Sequence, residues 1–264
     1  MIKGSFKADA LSCQRQEEMT MAAKMTFKRY ELKYRINHAQ RDALLKAIEG
    51  HLALDKFGHS TIRNLYYDTD TWRLVRRSIE KPWYKEKLRV RSYGQATDTS
   101  MVFVELKKKF EKVVYKRRLA LPCQAAMEGL KPENILPAGP SDQQIGREIE
   151  AFKHFYGPTL APAMYLSYER EAFFPIDGVD FRMTIDENLL WRMEDIDLRA
   201  PGGGRFIIPP DELILELKTP GGIPLWMVEF LSENKIYKTS FSKYGTAYRQ
   251  WFAERNTTGG RMYA

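Results

Sequence analysis

The sequence predicts an α+β fold dominated by an antiparallel β-sheet. Most of the predicted strands follow one another directly, without the helix between each pair that a parallel sheet needs. Several strands also alternate between apolar and charged residues, which places the two kinds of side chain on opposite faces of a sheet. The pattern indicates about eight strands and about four helices.

The first half of the chain holds most of the predicted strands. Residues 27–36 (FKRYELKYRI) alternate and predict a strand, and Asn37 is a candidate N-cap for the helix that follows. Residues 61–69 (TIRNLYYDT) predict a second strand, followed by a short helix or turn. Three further strands are predicted, of which the last two are close enough to form a hairpin: 85–94, 101–110 and 113–122.

The second half mixes helices with strands. Residues 124–145 predict a loop with a short helix, and residues 145–157 predict a helix that ends at Gly157. Two strands are then predicted around a tight Asp-Gly turn, and a third follows the glycine-rich connector after residue 200. Their ranges are 162–175, 179–192 and 213–219. The remaining predicted elements are helices at 224–234 and towards the end of 237–254.

The composition indicates a charged ligand but no metal or disulfide scaffold. The formal net charge is +8, from 42 basic and 34 acidic residues spread along the chain, which favours an anionic partner. Cys13 and Cys123 provide no disulfide framework and cannot build a zinc site, and the four histidines show no metal-ligand spacing. No apolar stretch is long enough to cross a membrane, and a reducing cytoplasm is the expected compartment.

No repeat or clear linker divides the chain, so we expect one domain over residues 25–255. Residues 1–24 lack the apolar centre of a secretory signal, and we expect a disordered extension there. Residues 256–264 are expected to form a loose C-terminal tail.

Charged residues occupy one face of several predicted strands. The alternating sets are Glu31, Lys33 and Arg35; Arg89 and Arg91; Glu105, Lys107 and Lys109; Arg182, Thr184 and Asp186; and Glu216 and Lys218. An open sheet with one solvated side explains such alternation on a single strand. If the sheet instead closes into a barrel, the charges meet inside it and need an anion or a few carboxylates to neutralise them. The pattern suggests a cationic tunnel for a polyanion such as a triphosphate or a phosphate polymer.

A set of motifs in order supports this interpretation: RYELKY, IRNLYYDT, SIEKPWYKEKLRVRSYG, VELKKK, YLSYERE, DFRMTID, ILELK and FSKYGTA, over residues 27 to 250. The set resembles the VTC domain, the polyphosphate polymerase module of the triphosphate tunnel metalloenzyme (CYTH-like) superfamily. The paired ExExK opening of the CYTH branch is not met, since only Glu31 and Lys33 of ELK are present. This difference favours the VTC branch.

The resemblance implies an eight-stranded antiparallel tunnel with helices packed on its outside. It implies that ATP binds inside and that its γ-phosphate passes to a growing polyphosphate chain, helped by Mn²⁺ or Mg²⁺. By motif, the catalytic phosphate contacts are expected from Arg89, Arg91, Arg182 and Lys243. Further phosphate contacts are expected from Lys33, Lys107 and the hydroxyl of Ser242, and Glu216 is expected to hold the metal.

The two-residue alternation along the predicted strands, without any motif, adds other candidates. Arg170 and Lys218 are expected to bind phosphate, while Lys109 and Lys238 could equally face solvent. Four aromatic residues could stack on a nucleobase near the tunnel mouth, with core packing or a surface position as the alternative: Tyr66, Tyr67, Trp83 and Tyr84.

Three functions are compatible with these residues. The first is an ATP-dependent polyphosphate polymerase, a phosphotransferase. The second is a tunnel triphosphatase that hydrolyses tripolyphosphate or a nucleotide, which differs only in the acceptor of the phosphoryl group. The third is a non-catalytic module that binds polyphosphate or RNA, but the basic residues lie in strand phase and not in a surface run, so no nucleic acid is expected. The expected partners are ATP and inorganic polyphosphate, for a cytoplasmic protein that is free or docked on a separate membrane protein.

Overall fold

The computed structural model describes residues 30–111 and 113–259, so the expected N-terminal extension lies outside the described residues. The described residues form ten strands in one sheet and six α-helices. The strands are β1 Tyr30–Asn37, β2 Leu52–Asp68, β3 Tyr84–Tyr93, β4 Met101–Phe110, β5 Val113–Pro122, β6 Ala161–Pro175, β7 Arg182–Arg192, β8 Arg205–Phe206, β9 Glu212–Thr219 and β10 Lys238–Thr239. The helices are α1 His38–Ala47, α2 Arg73–Ile79, α3 Cys123–Gly129, α4 Gln143–Tyr156, α5 Leu225–Glu233 and α6 Lys243–Gly259.

The α+β class and the antiparallel sheet are confirmed. The expected closure into an eight-stranded barrel is wrong, because the sheet formed by the described residues has ten strands and remains open. The strand order is β10-β1-β9-β7-β6-β2-β3-β4-β5, with β8 paired to β7, and every pairing is antiparallel. Among the described residues no backbone pairing joins β5 to β10, so a seam stays open between them. One reason is that β10 is only two residues long and offers few backbone groups to a further neighbour.

The sheet is nevertheless strongly curved, because side chains from distant strands touch one another. Lys107 of β4 forms an ion pair with Glu31 of β1 at 3.3 Å, although β9, β7, β6, β2 and β3 lie between these strands. Lys87 of β3 likewise reaches Ser242, just before α6, at 3.2 Å. These side chains therefore lie on the concave side of the sheet, which we call the inner face, and the fold is tunnel-like with an open seam.

Apolar residues on the other side of the sheet form two cores under helices. One core packs α3 and α4 against β2 to β5, and includes Leu88, Leu106 and Ile149. The other packs α1 and α5 against β1, β7 and β9, and includes Leu44 and Leu215. The expectation of helices on the outside holds for these four helices.

Helices α2 and α6 depart from that expectation, since they pack on the inner face. A third core joins Val75 of α2 and Tyr244 of α6 to inner-face residues of β2 and β6 such as Ile62 and Leu166. Asp68 at the end of β2 anchors both helices, because its carboxylate accepts bonds from the amides of α2 and from the Tyr244 hydroxyl. The inner face is therefore partly filled with apolar side chains, and its charged part is confined to the remaining space.

Local signals explain where several elements begin and end. Asn37 caps α1 as expected, since its side chain accepts from the amide of Gln40 while the Gln40 side chain accepts from the amide of Asn37. Gly178 adopts a φ of 78° in the turn between β6 and β7, a conformation that favours glycine. Helix α6 continues to Gly259 and so includes residues 256–259, which the sequence assigned to a loose tail. Within the described residues, no helix has the length and apolar character needed to span a membrane.

Candidate functional site

The inner face carries the charged residues that alternate along the strands. Register aligns them across neighbours: Glu216 lies opposite both Lys33 and Thr184, and Glu105 lies opposite both Arg89 and Arg118. The basic side chains of this face include Lys33, Lys85, Lys87, Arg89, Arg91, Lys107, Lys109, Lys116, Arg118, Arg170, Arg182 and Lys218. The carboxylates of the same face are Glu31, Glu105, Asp186 and Glu216, so cations outnumber anions inside the curved sheet.

Glu105 is the centre of the first group of charges. Its carboxylate is 1% exposed and contacts Arg89 at 2.6 Å, Lys116 at 2.8 Å and the Nε atom of Arg118 at 2.8 Å. Burial alone would raise the pKa of Glu105, but these cations together with Arg91 hold it far below its usual range. One buried carboxylate thus positions several basic side chains whose charges it only partly neutralises.

Asp186 is the centre of the second group. It is fully buried, accepts two hydrogen bonds from Arg170 and forms an ion pair with Lys243, the first residue of α6. Burial alone would raise the pKa of Asp186, but Arg170 and Lys243 lower it to about 2. The start of α6 is therefore fixed against β6 and β7 by a charged anchor.

Two tyrosines connect these groups. Arg91 donates to the Tyr168 hydroxyl at 3.1 Å and to the Asn64 side chain at 2.9 Å, and Arg89 donates to the Tyr66 hydroxyl at 3.0 Å. The ammonium group of Lys243 lies 4.5 Å from the centre of the Tyr168 ring. The guanidinium groups are thus held in fixed orientations, as bidentate phosphate recognition requires.

Glu216, the expected metal ligand, lies beside Lys33 and Lys218 at 3.4 and 2.8 Å. Burial alone would raise its pKa, but Lys218, Lys33 and Lys243 lower it well below the usual range, so the carboxylate is ionised. Its register neighbour Thr184 has a buried hydroxyl oxygen without a hydrogen-bond partner in the described part of the chain. An ionised carboxylate and an unpartnered hydroxyl are hard oxygen donors, so these residues fit a hard divalent cation.

A different group of potential metal ligands lies away from this site. His59, Glu169 and Glu187 bring three ligand atoms within 4.8 Å of one another across β2, β6 and β7. Linear spacing does not reveal such a group, because His59 on β2 is far in sequence from the β6–β7 hairpin that carries the two glutamates. The side chain of His59 is 45% exposed and already pairs with both carboxylates, so we assign no metal there.

The structure brings together most of the site residues that we expected from the sequence. Lys33, Arg89, Arg91, Lys107, Arg170, Glu216, Lys218, Ser242 and Lys243 all contribute to the network on the inner face or at the start of α6. Arg182 lies opposite Lys218 in the sheet, but among the described residues no ion pair or hydrogen bond joins its side chain to this network. Its side chain is 43% exposed, lies 3.8 Å from Asp180 and covers the Phe174 ring, so it occupies the rim.

The remaining candidates, for which the sequence left a solvent-facing or core position open, lie in different environments. Lys238 is exposed on β10, and Lys109 lies at the end of β4 opposite Lys85. Of the aromatic candidates for base stacking, Tyr67 is buried in the outer core and Tyr66 is stacked on Tyr244. Trp83 is 74% exposed, and the Tyr84 hydroxyl is occupied by Glu86.

Sequence reasoning missed several residues of the site. Lys85 and Lys87 share the period-two phase of Arg89 and Arg91, and that signal could have found them. Lys116 and Arg118 alternate in the same way on β5. Asp186 was placed on the charged face, but nothing local indicated that its carboxylate anchors α6.

Comparison with known proteins identifies the family. The VTC domain model matches residues 28–252, and no curated protein matches the chain. Among solved structures, a candidate adenylate cyclase from Bacillus halodurans has a TM-score of 0.50 and 16% identity, with 80% of this chain and 92% of that chain covered. A candidate adenylyl cyclase from Hippeastrum, described as having a dominant triphosphatase activity, has a TM-score of 0.46 and 15% identity, with 81% and 93% covered. The Bacillus likeness shows a shared fold, and because the family model spans most of the sequence, this chain belongs to the VTC domain family.

Proposed function

We propose that the protein is an ATP-dependent polyphosphate polymerase that transfers the γ-phosphate of ATP to a polyphosphate chain. The observation that most supports this function is the excess of basic over acidic side chains on the concave inner face. Like charges crowded in a partly dry space repel one another, and a chain of phosphates relieves that repulsion. Membership of the VTC domain family supports the same substrate class.

The mechanism needs positioning and charge neutralisation more than covalent chemistry by the protein. Arg89 and Arg91 are oriented by Glu105, Tyr66 and Tyr168, so their guanidinium groups can bind phosphate oxygens without losing further side-chain freedom. Lys33, Lys107 and Lys243 supply point charges around the transferred group. A terminal phosphate oxygen of the growing chain is already anionic at neutral pH, so the acceptor needs no general base.

A divalent metal fits the same arrangement. Glu216 would hold it, and Thr184, its register partner, has a buried hydroxyl oxygen that lacks a hydrogen-bond partner among the described residues. When bound, Mg²⁺ or Mn²⁺ neutralises the charge that develops on the phosphate oxygens. Lys33 and Lys218, which pair with Glu216 here, would bind phosphate if a metal ion served as the counterion of that carboxylate.

One experiment tests the proposed reaction. Purified protein is incubated with ATP and Mn²⁺, and the products are resolved on a gel stained for polyphosphate. Long chains are expected. Free phosphate without chains would show a triphosphatase, and tight polyphosphate binding without turnover would show a binding module, so either result overturns the polymerase. Because ATP is the phosphoryl donor, we also propose that the protein works in the cytoplasm, free or docked on a separate membrane protein.

A further inference from the structure

Lys87 occupies an unusual position in the centre of the inner face. It points from β3 towards the start of α6, and its ammonium group donates to the Ser242 hydroxyl oxygen at 3.2 Å. Lys107 lies opposite it on β4, and Lys116 follows on β5. The charged groups that face it are Lys33 from β1, Lys85 and Arg89 from β3, and Lys107 from β4.

Four of the surrounding cations have carboxylate partners, whereas in the described residues Lys87 has none and Lys85 bonds only the Ser78 carbonyl oxygen. Lys33 pairs with Glu216, and Lys107 with Glu31. Arg89 and Lys116 share Glu105. In the part of the chain that the structure describes, the one hydrogen bond of the Lys87 side chain goes to the neutral Ser242. A cation surrounded by cations is unfavourable unless an anion joins them.

Ser242 is arranged to share such an anion. Its hydroxyl oxygen accepts from the amide of Gly245 at 3.2 Å as well as from Lys87. Because a hydroxyl has one proton and two lone pairs, its own O–H remains available as a donor. The Lys87 ammonium group on β3 and the Ser242 hydroxyl group just before α6 can therefore donate to the same anion.

We propose that Lys87 is a further phosphate-binding residue, which together with the Ser242 hydroxyl holds one phosphate group of the chain. The proposal rests on the proposed function, since it names a ligand of the same substrate. It adds a phosphate contact from β3 to those proposed for Arg89 and Arg91 on the same strand. Its physical basis is that a phosphate supplies the negative charge that the protein itself does not place beside this lysine.

The charge state of Lys87 gives the proposal a distinctive consequence. Burial lowers the pKa of Lys87 to about 7, and the cations Lys107, Lys33, Lys85 and Arg89 contribute to the decrease. A bound phosphate favours the ammonium form and raises that pKa again. Above pH 7, binding of a phosphate chain is therefore coupled to proton uptake by Lys87, and the affinity falls by up to about tenfold per pH unit.

The test is calorimetric titration with sodium tripolyphosphate, in two buffers of different ionisation enthalpy. The range is about pH 8 to about pH 9, where most of Lys87 is neutral before binding. The last proton of tripolyphosphate also titrates in this range, and the Lys87→Arg variant, which binds the same ligand, measures that contribution. Lys116 must be considered, because burial lowers its pKa to about 8 and it also titrates here. Variants Lys87→Arg and Lys87→Met isolate the contribution of Lys87 from that of Lys116. Lys108→Met is the matched control, since Lys108 lies next to Lys107 on the outer face beside Glu148.

We expect the wild type to bind tripolyphosphate with proton uptake. Lys87→Arg should bind at least as tightly as the wild type, with an advantage that grows towards pH 9, and should lose most of the uptake, because a guanidinium stays protonated. Lys87→Met should bind at least about tenfold more weakly, because it lacks the charge. Lys108→Met should resemble the wild type.

Two results would overturn the assignment of Lys87 alone. One is binding by both Lys87 variants with wild-type affinity and wild-type proton uptake. The other is a marked fall in the melting temperature of ligand-free Lys87→Met, which would give the lysine a structural role, whereas relief of repulsion predicts a melting temperature at or above that of the wild type. Failure of the wild type to bind tripolyphosphate would overturn the proposed function itself.

Discussion

Lys243, the first residue of α6, forms an ion pair with Asp186, a carboxylate of β7 that is fully buried. The same carboxylate binds Arg170 of β6 through two hydrogen bonds. This relationship couples folding to the site, because it fixes the position of α6 and therefore of Ser242 and Lys243. The third core, to which α6 contributes, and the proposed phosphate site thus depend on one charged anchor.

Replacing Asp186 by Asn should lower stability and change its pH dependence. The folded-state pKa of about 2 lies below the ordinary value of 3.8, so ionised Asp186 stabilises the fold at neutral pH. That contribution is lost as the pH falls from about 4 to about 2. We expect Asp186→Asn to cost about 3–5 kcal/mol of unfolding free energy at pH 7, because two buried cations lose their partner. Denaturant titrations at pH 7 and at about pH 3 measure both effects, and an unchanged acid dependence would contradict the assignment. Asp211→Asn, on an exposed carboxylate, is the control.

Replacing Glu105 by Gln tests whether phosphate can substitute for a buried carboxylate. Arg89, Lys116 and Arg118 would lose their shared counterion, and we expect a loss of about 3–5 kcal/mol of unfolding free energy. Tripolyphosphate should then stabilise the variant more than the wild type in thermal melts. An equal shift for both proteins would count against anion binding at this point. The control is Glu148→Gln, which removes a carboxylate that pairs with Arg117 on the outer face.

Glu216→Gln tests the metal site without relying on turnover. In the wild type we expect Mn²⁺ to strengthen tripolyphosphate binding by at least about tenfold, because carboxylate and phosphate oxygens share the ion. The variant should lose that increment while its metal-free affinity stays equal or rises, since one negative charge is removed from the site. Titration calorimetry with and without Mn²⁺ gives the comparison. A full Mn²⁺ effect in the variant would assign the metal elsewhere, and Glu212→Gln at the start of β9 is the control.

Arg182→Ala should abolish turnover with little loss of folding. The side chain is 43% exposed at the rim, so its removal is expected to change the unfolding free energy by about 0.5 kcal/mol or less. Turnover should be lost if, as we propose, Arg182 at the mouth contacts the phosphates that enter. Polyphosphate synthesis from ATP and a denaturant melt measure the two quantities. A wild-type rate would remove Arg182 from the site, and Arg182→Lys shows whether charge alone suffices.

Strand phase predicted much of the inner face. The pairing of β3 with β4 through a short connection places Arg89 opposite Glu105 and Lys87 opposite Lys107. These positions follow from a period of two residues and from hairpin geometry, both of which are local properties of the chain. The same logic held on β1 and β9, where Lys33 and Glu216 face each other.

Strand phase could not distinguish the centre of the face from its edge. Arg170 and Arg182 both occupy inner-face positions, yet Arg170 binds buried Asp186 and Arg182 lies half-exposed at the rim. The difference depends on where each strand crosses the curved sheet. That position is a property of the whole fold and is not encoded in any single strand.

The sequence by itself determined the α+β class, the alternation of apolar and basic faces and most of the phosphate-site candidates, because these depend on short-range periodicity. Only the tertiary structure decided that the sheet stays open between β5 and β10 while Glu31 still meets Lys107. It also decided that α6 packs inside the curve and brings Ser242 to Lys87. The physical reason is that curvature and helix docking come from apolar packing and ion pairs between residues far apart in the chain, and no local pattern specifies those contacts.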